Sequence, residues 1–288
     1  MGIHSARRVY PFVAKNTMGN IKLSVILPSY KDKYLIPTIQ SLLDNSQLGE
    51  QLEVIAVLDG YWRADIPADP RVRVVHLGAN RGMRGAINSG VAVARGEFIA
   101  RSDEHIMFSP GYDKVLTDCC GPKDIVTGRR YFLNPETWSI MEEKGYIDCE
   151  KLTIQDVGNG IRKFAGQNWK SRAEKYKDED IIEAQAMQGS FWVMPRKHWE
   201  TTIVELDTKG YGPLYGDSHE VVFKTWKVGG RLLYNKKMWY AHKFRDFSRT
   251  HQMGTKENPA RAEEGWTYSL SVWEKHWLEE VKPKWENL

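Results

Sequence analysis

Asp103, Glu104 and His105 stand together where an apolar run, residues 98–101 (FIAR), comes to an end. In extended chain, residues two apart project to the same side, so the Asp103 carboxylate and the His105 imidazole can reach one ion while Glu104 points away. One carboxylate oxygen with one imidazole nitrogen suits an intermediate divalent cation, Mn²⁺ ahead of Mg²⁺. The competing reading is a polar strand-to-loop junction that holds nothing. Asp59 closes a second apolar run, residues 53–58 (EVIAVL), although Asp59-Gly60 is also a common turn pair. Pro28, Ser29 and Tyr30 close a third, residues 21–28 (IKLSVILP), and Asn80-Arg81-Gly82 opens a stretch of small and apolar residues.

These groups need elements to bring them together. The apolar runs at 21–28, 53–58, 71–76 and 98–101 read as buried strands. Between them, residues 33–46 place Leu35, Ile39, Leu42 and Leu43 on one helical face, and 82–94 has helical spacing. Strands alternating with helices predict an α/β fold built on a parallel sheet covered on both faces. In an open sheet of this kind ligands bind at the carboxyl ends of the strands, where all four groups fall. The turn after the first strand reads PSYKDK, without GxGxxG, and no GxxxxGK[ST] occurs, so dehydrogenase and P-loop readings fail.

Residues 134–183 are polar, with a charge-dense run at 170–180, and are expected as helices and loops laid over the sheet. A strand is expected at 187–194, then a helix over 218–228 stopped by Gly229-Gly230. Two short strands should follow, at 231–234 and 238–242. From residue 259 an amphipathic helix carries Trp266, Trp273 and Trp277, read as a packing face.

The 288 residues hold 41 Lys+Arg against 37 Asp+Glu, a net charge of +4 that permits a polyanionic partner without requiring one. At this length a domain buries about 75% of its unfolded surface, so neither disulfides nor metal are needed to hold a core. Cys119, Cys120 and Cys149 include no CxxC and fit reduced thiols. Without an apolar signal region or an 18-residue apolar span, the expected location is cytoplasmic, with no membrane partner.

The blocks SVILPSY, VIAVLDG and NRGMRGAINSGVAVARGEFIARSDEH resemble the nucleotide-binding half of GT-A-fold glycosyltransferases, in particular the polypeptide N-acetylgalactosaminyltransferase catalytic domain. MQGSFWVMPRKHW, YGDSHEVVFKTWKVGG and YAHKFR continue the resemblance in the same order, over roughly residues 21–250. It implies a GT-A, Rossmann-like nucleotide-diphospho-sugar transferase fold with a mostly parallel central sheet flanked by helices. Residues 1–20 would be an N-terminal arm, 21–105 a nucleotide-binding half, 106–250 an acceptor and sugar half, and 251–288 a C-terminal helical extension. By position, Asp103, His105 and His242 would hold the metal. Pro28, Tyr30, Asp59, Arg84, Asp103 and Arg245 would bind the nucleotide sugar, Asp59 near the base and Arg245 near the diphosphate, and Gly189 and Ser190 would form a turn lining the sugar. Asp217 matches a family glutamate, within a segment that here reads Tyr-Gly-Asp-Ser. Asp217 and Glu220 are the candidate catalytic carboxylates: either could grip a sugar hydroxyl or, in an inverting reaction, act as base. The resemblance itself implies retention. Asp217 and Ser218 compete with this as helix N-caps.

The implied donor is a nucleotide sugar, UDP-linked. For the acceptor, related stand-alone transferases point to 5-hydroxymethylated pyrimidines in bacteriophage DNA. Lys236, Lys237, Lys243, Arg245 and Arg249, interleaved with Trp239, Tyr240, Phe244 and Phe247, suit that polymer: cations for phosphates, rings for an extruded base. Of these, Lys243, Trp239 and Phe247 are the candidate acceptor contacts. Ser/Thr of a protein and a saccharide are the alternative acceptors; a nucleic-acid or nucleotide-sugar binding module without turnover is the non-enzyme alternative.

Overall fold

The structure, a computed structural model, describes residues 20–212, 215–244 and 260–286. Arg245, Phe247, Arg249 and nearly all of the expected N-terminal arm lie outside the described residues. The first half alternates as expected. β1 (Leu23–Ser29), α1 (Leu35–Asp44), β2 (Leu52–Asp59), β3 (Val72–Leu77), α2 (Gly82–Val93) and β4 (Phe98–Ser102) follow in order. β1, β2 and β4 are buried along their whole length, which is why they read as unbroken apolar runs rather than alternating ones. β1 pairs in parallel with β2 and β4, and β2 with β3.

The second half continues through β5 (Ile106–Phe108), α3 (Tyr112–Cys119), β6 (Ile125–Asn134), β7 (Ser139–Ile140), β8 (Tyr146–Ile147), β9 (Glu150–Gly158) and β10 (Ile161–Asn168). After α4 (Lys170–Lys175) come β11 (Ile181–Ala184), β12 (Phe191–Pro195), α5 (Arg196–His198), α6 (Asp217–Lys227), β13 (Leu232–His242), α7 (Ala260–His276) and α8 (Lys282–Glu286). The main path of the large sheet runs β11-β13-β6-β12-β4-β1-β2-β3, mostly parallel, with β12 entering antiparallel beside β4. α1 and α3 cover one face, where Leu35, Ile39 and Leu116 meet Val25, Val54 and Phe191. α2 and α6 cover the other, where Ile87 and Val221 meet Ile26, Val57 and Trp192.

Two expectations are corrected. Residues 134–183 are largely strand: β9 and β10 form an antiparallel hairpin turned by Asn159 and Gly160, both at positive φ (55° and 73°), as a two-residue hairpin loop requires. The two strands expected at 231–242 are one, β13, whose pairing with β6 slips between Asn235 and Trp239. There the Lys236 N–H leaves the ladder to donate to the Asp180 carbonyl, 2.8 Å away. The aromatic tail packs as expected. Trp273 stacks on Phe223 at 5.1 Å and Trp277 on Trp226 at 5.9 Å, in a third cluster with Phe164 of the hairpin.

Candidate active site

β1, β2 and β4 run parallel, so their carboxyl ends deliver Pro28, Ser29, Tyr30, Asp59 and Asp103 to one edge, where they line a cleft with Met83 and Ala86 of α2. Asp59 is buried, and its Oδ1 accepts the Arg81 N–H at 2.7 Å. It therefore closes the turn into α2 while also facing the cleft, and burial pushes its carboxyl pKa up. The Tyr30 N–H donates to the Glu104 carboxylate at 3.0 Å. Glu104 does not point away as the extended-chain argument requires: ligand atoms of Asp32, Glu104 and His105 lie within 4.8 Å of one another. Residues 103–105 bend, and Glu104 is buried against the β1 turn.

Asp103 sits at the centre. Its N–H donates to the Ser190 carbonyl at 2.7 Å, stitching it to the turn before β12. Its Oδ2 lies 3.1 Å from His242 Nε2 and 3.9 Å from His105 Nε2, and the two imidazole rings are 4.9 Å apart. His242 reaches this point as the last residue of β13, paired with Ile106 on one side and Phe132 on the other. Burial acts to raise the Asp103 carboxyl, but Arg101 and the two histidines outweigh it and hold the carboxyl well below its usual range. Burial also pushes His242 down to about 4, leaving a neutral imidazole whose nitrogen lone pair suits coordination. One carboxylate oxygen and two imidazole nitrogens gathered within 4.8 Å fit a divalent transition ion.

In the turn before β12, Gly189 adopts φ 86°, and a Cβ there would stand 2.7 Å from Ser218 Cβ, so glycine is required on both counts. Ser190 is buried, its hydroxyl turned to Gln188 and Tyr240. α6 begins at Asp217 behind Gly216, without a side-chain cap, so neither Asp217 nor Ser218 serves as the cap considered from sequence. Asp217 Oδ2 is instead buried without a hydrogen-bond partner, and burial raises its carboxyl pKa.

Arg84 and Glu220 are paired. The two are fully buried against each other, with Arg84 Nη1 and Nη2 at 2.6 and 2.7 Å from Glu220 Oε2. Arg84 stacks on Tyr211 at 4.1 Å, and Glu220 also takes Lys224 at 2.8 Å. The pair ties α2 to α6. The expected basic and aromatic contacts divide as well. Lys236 donates to the carbonyls of Tyr176 and Lys177, and Lys237 pairs with Asp180, both away from the metal cluster. Trp239 packs edge-on to Tyr131. Lys243 stays at the mouth, its Nζ 5.7 Å above the Tyr34 ring.

Two site residues were missed by sequence reasoning. Arg101, buried in β4, reaches the Asp103 carboxylate at 2.7 Å and the Gly189 carbonyl, with its Nε 3.8 Å from Asp217 Oδ2. Its signal was a charge inside the apolar run FIARS. Asp32 lies 3.1 Å from His105 Nδ1, and a lone acid in the PSYKDK turn gives no signal.

A mostly parallel sheet with a carboxylate and two histidines gathered at its carboxyl edge defines an α/β protein with a candidate metal-dependent site. Residues 24–201 match glycosyl transferase family 2, and the chain belongs to that family. It is 30% identical over 149 residues to Glycosyltransferase GlyG of Streptococcus pneumoniae serotype 4, a match spanning 48% of this chain and 49% of GlyG. The chain thus spans about half the length of that curated relative. It also shares its fold with a solved structure of GalNAc-T7 with UDP, GalNAc and Mn²⁺, at TM-score 0.66 and 15% identity, covering 90% of this chain and 50% of that one. Among the described residues, no helix is long and apolar enough to cross a membrane.

Proposed function

We propose that this chain transfers a sugar from a UDP-linked donor to a hydroxyl acceptor, with a divalent metal, Mn²⁺ by preference, held by Asp103, His105 and His242. The observation that carries it is the convergence of Asp103 Oδ2 with the two histidine nitrogens beside the Pro28–Tyr30 and Asp59 cleft. When bound, the ion supplies Lewis-acid stabilisation of the departing diphosphate. Transfer breaks the bond from the sugar's anomeric carbon to the diphosphate oxygen and forms one to the acceptor oxygen, whose proton must leave. With Glu220 committed to Arg84, Asp217 is the remaining carboxylate of the proposed pair, its Oδ2 turned toward Gly189 where a sugar or acceptor hydroxyl would lie. Arg245 completes the proposed diphosphate contacts.

For the acceptor we favour 5-hydroxymethylated pyrimidine in DNA. Support comes from the rim beside His242. Phe244 packs on His242 at 4.9 Å and on Phe132 at 5.0 Å, and Tyr34 stacks on Trp138 at 6.1 Å. Lys33, Lys144 and Lys243 lie over these rings at 4.9, 5.8 and 5.7 Å. Rings interleaved with cations suit bases carried on a phosphate backbone. Unpaired cysteines agree with a cytoplasmic setting.

The test is a transfer screen with Mn²⁺ and then EDTA, offering UDP-sugars with hydroxymethylcytosine DNA, hydroxymethyluracil DNA, Ser/Thr peptides and oligosaccharides. Mass gain on a DNA nucleoside supports the DNA reading; gain on peptide or saccharide alone replaces it. Donor hydrolysis insensitive to EDTA removes the metal from the proposal.

A further inference from the structure

Two of the three atoms that would face a common ion are selected by a side chain outside the ligand set, those of His105 and Asp103, while His242 Nδ1 is buried without a hydrogen-bond partner. Asp32, in the turn between β1 and α1, divides its carboxylate: Oδ1 accepts the Tyr34 N–H at 2.8 Å and Oδ2 lies 3.1 Å from His105 Nδ1. Arg101 engages the other oxygen of Asp103, with Nη2 at 2.7 Å from Oδ1, while Nη1 is anchored on the Gly189 carbonyl. What remains turned inward is Asp103 Oδ2, 3.9 Å from His105 Nε2 and 3.1 Å from His242 Nε2.

We propose that Asp32 and Arg101 are positioning residues for the metal centre, Asp32 holding His105 as the Nδ1–H tautomer so that Nε2 faces the ion, and Arg101 turning Asp103 so that Oδ2 alone does. The inference rests on the metal-dependent reading above. A neutral imidazole carries one N–H and one lone pair, so a carboxylate acceptor at Nδ1 puts the lone pair on Nε2 and makes that nitrogen a better ligand. Arg101 works differently. Its positive charge beside a ligand disfavours a cation by Coulomb's law, so any benefit to metal binding must come from orientation. The two effects have opposite signs, which makes them separable.

The experiment uses the full chain and Mn²⁺ alone, titrated by the EPR signal of the free ion, with ¹⁵N–¹H spectra of the histidine side chains and a melting curve for each variant. The wild type should bind Mn²⁺ and, before metal is added, show His105 protonated on Nδ1. Asp32→Asn presents an amide that can donate to Nδ1; it should shift the proton to Nε2 and weaken Mn²⁺ about 10–100-fold. Asp32→Glu, which keeps a carboxylate, should recover part of that loss. Arg101→Met should also weaken Mn²⁺ despite removing a positive charge, and Arg101→Lys, which keeps the charge but not the fork, should fall between. Wild-type affinity in Asp32→Asn, tighter binding in Arg101→Met, or a His105 proton on Nε2 in the wild type overturns the inference while the metal reading stands. A wild type that binds no Mn²⁺ overturns both.

Discussion

Asp103, His105 and His242 share so small a volume that each depends on the others. Asp103→Ala or His242→Ala should lower Mn²⁺-dependent donor hydrolysis by about 10²–10³-fold while the melting temperature stays near wild type. Unimpaired hydrolysis in either variant removes that residue from the ligand set. Asp217 carries a buried oxygen without a hydrogen-bond partner, so Asp217→Asn should lower kcat more than it raises KM. An unchanged kcat would make it a packing residue at the start of α6. That Asp103 and His105 would come together was legible because they are near neighbours after an apolar strand, and that Asp59 would join them because it ends another. His242 took its meaning from the resemblance. Arg101 and Asp32 were not legible, since what they do depends on Gly189, 88 residues from Arg101, and on His105, 73 residues from Asp32.

The elements show the same division. Strands buried on both faces were readable from composition alone. The β9–β10 hairpin was not, because it is packed mainly through Leu152, Ile154 and Phe164, while the other positions are mostly polar or exposed, Val157 among them. Its Asn159-Gly160 turn was the available signal. Nor does sequence reveal that α2 and α6 are joined by Arg84 and Glu220, which stand 136 residues apart. Arg84→Met should destabilise by about 3 kcal/mol, read as a lower urea midpoint, because it takes the guanidinium from the buried Glu220 and leaves it with Lys224 and the Asp207 N–H. Arg84→Met combined with Glu220→Leu should restore much of the loss, and equal midpoints for the single and double variants would deny the coupling. α6 also carries His219, which burial, with Arg84 and Lys163, pushes down from 6.5 to about 4. The unfolded chain then binds more protons than the folded one between those values. This contribution to stability is complete above pH 6.5 and is lost as pH falls toward 4. His219→Gln should therefore show a smaller drop in melting temperature between pH 7 and 4.5 than wild type; identical drops would exclude His219 as a source of acid sensitivity.

At the scale of the whole molecule, the sheet supplies the cleft at its carboxyl edge and the C-terminal helix packs against α6 and the β9–β10 hairpin. Trp273 stacks on Phe223 of α6 and donates its indole N–H to the Tyr211 hydroxyl, so its core is shared with the catalytic fold. Trp273→Ala should cost about 3–5 kcal/mol and leave a single unfolding transition. Two separate transitions would mean that α7 folds on its own account. The expected extension was legible as an amphipathic helix bearing tryptophans. The surface that receives it was not, because that surface is assembled from β10, α6 and the segment before α6.

The fit of α7 has a consequence for ancestry. A Cβ on Gly210 would stand 2.1 Å from the Tyr268 ring, and one on Gly265 would stand 2.7 Å from the Tyr211 carbonyl. Tyr268 also donates its hydroxyl to Asp207 at 2.6 Å. Helix and segment are thus cut to each other's shape on both sides, and neither can drift alone. Relatives with a bulkier residue at position 210 should have lost the ring at 268, and a chimera that imports α7 without residues 207–216 should misassemble where one importing both is tolerated.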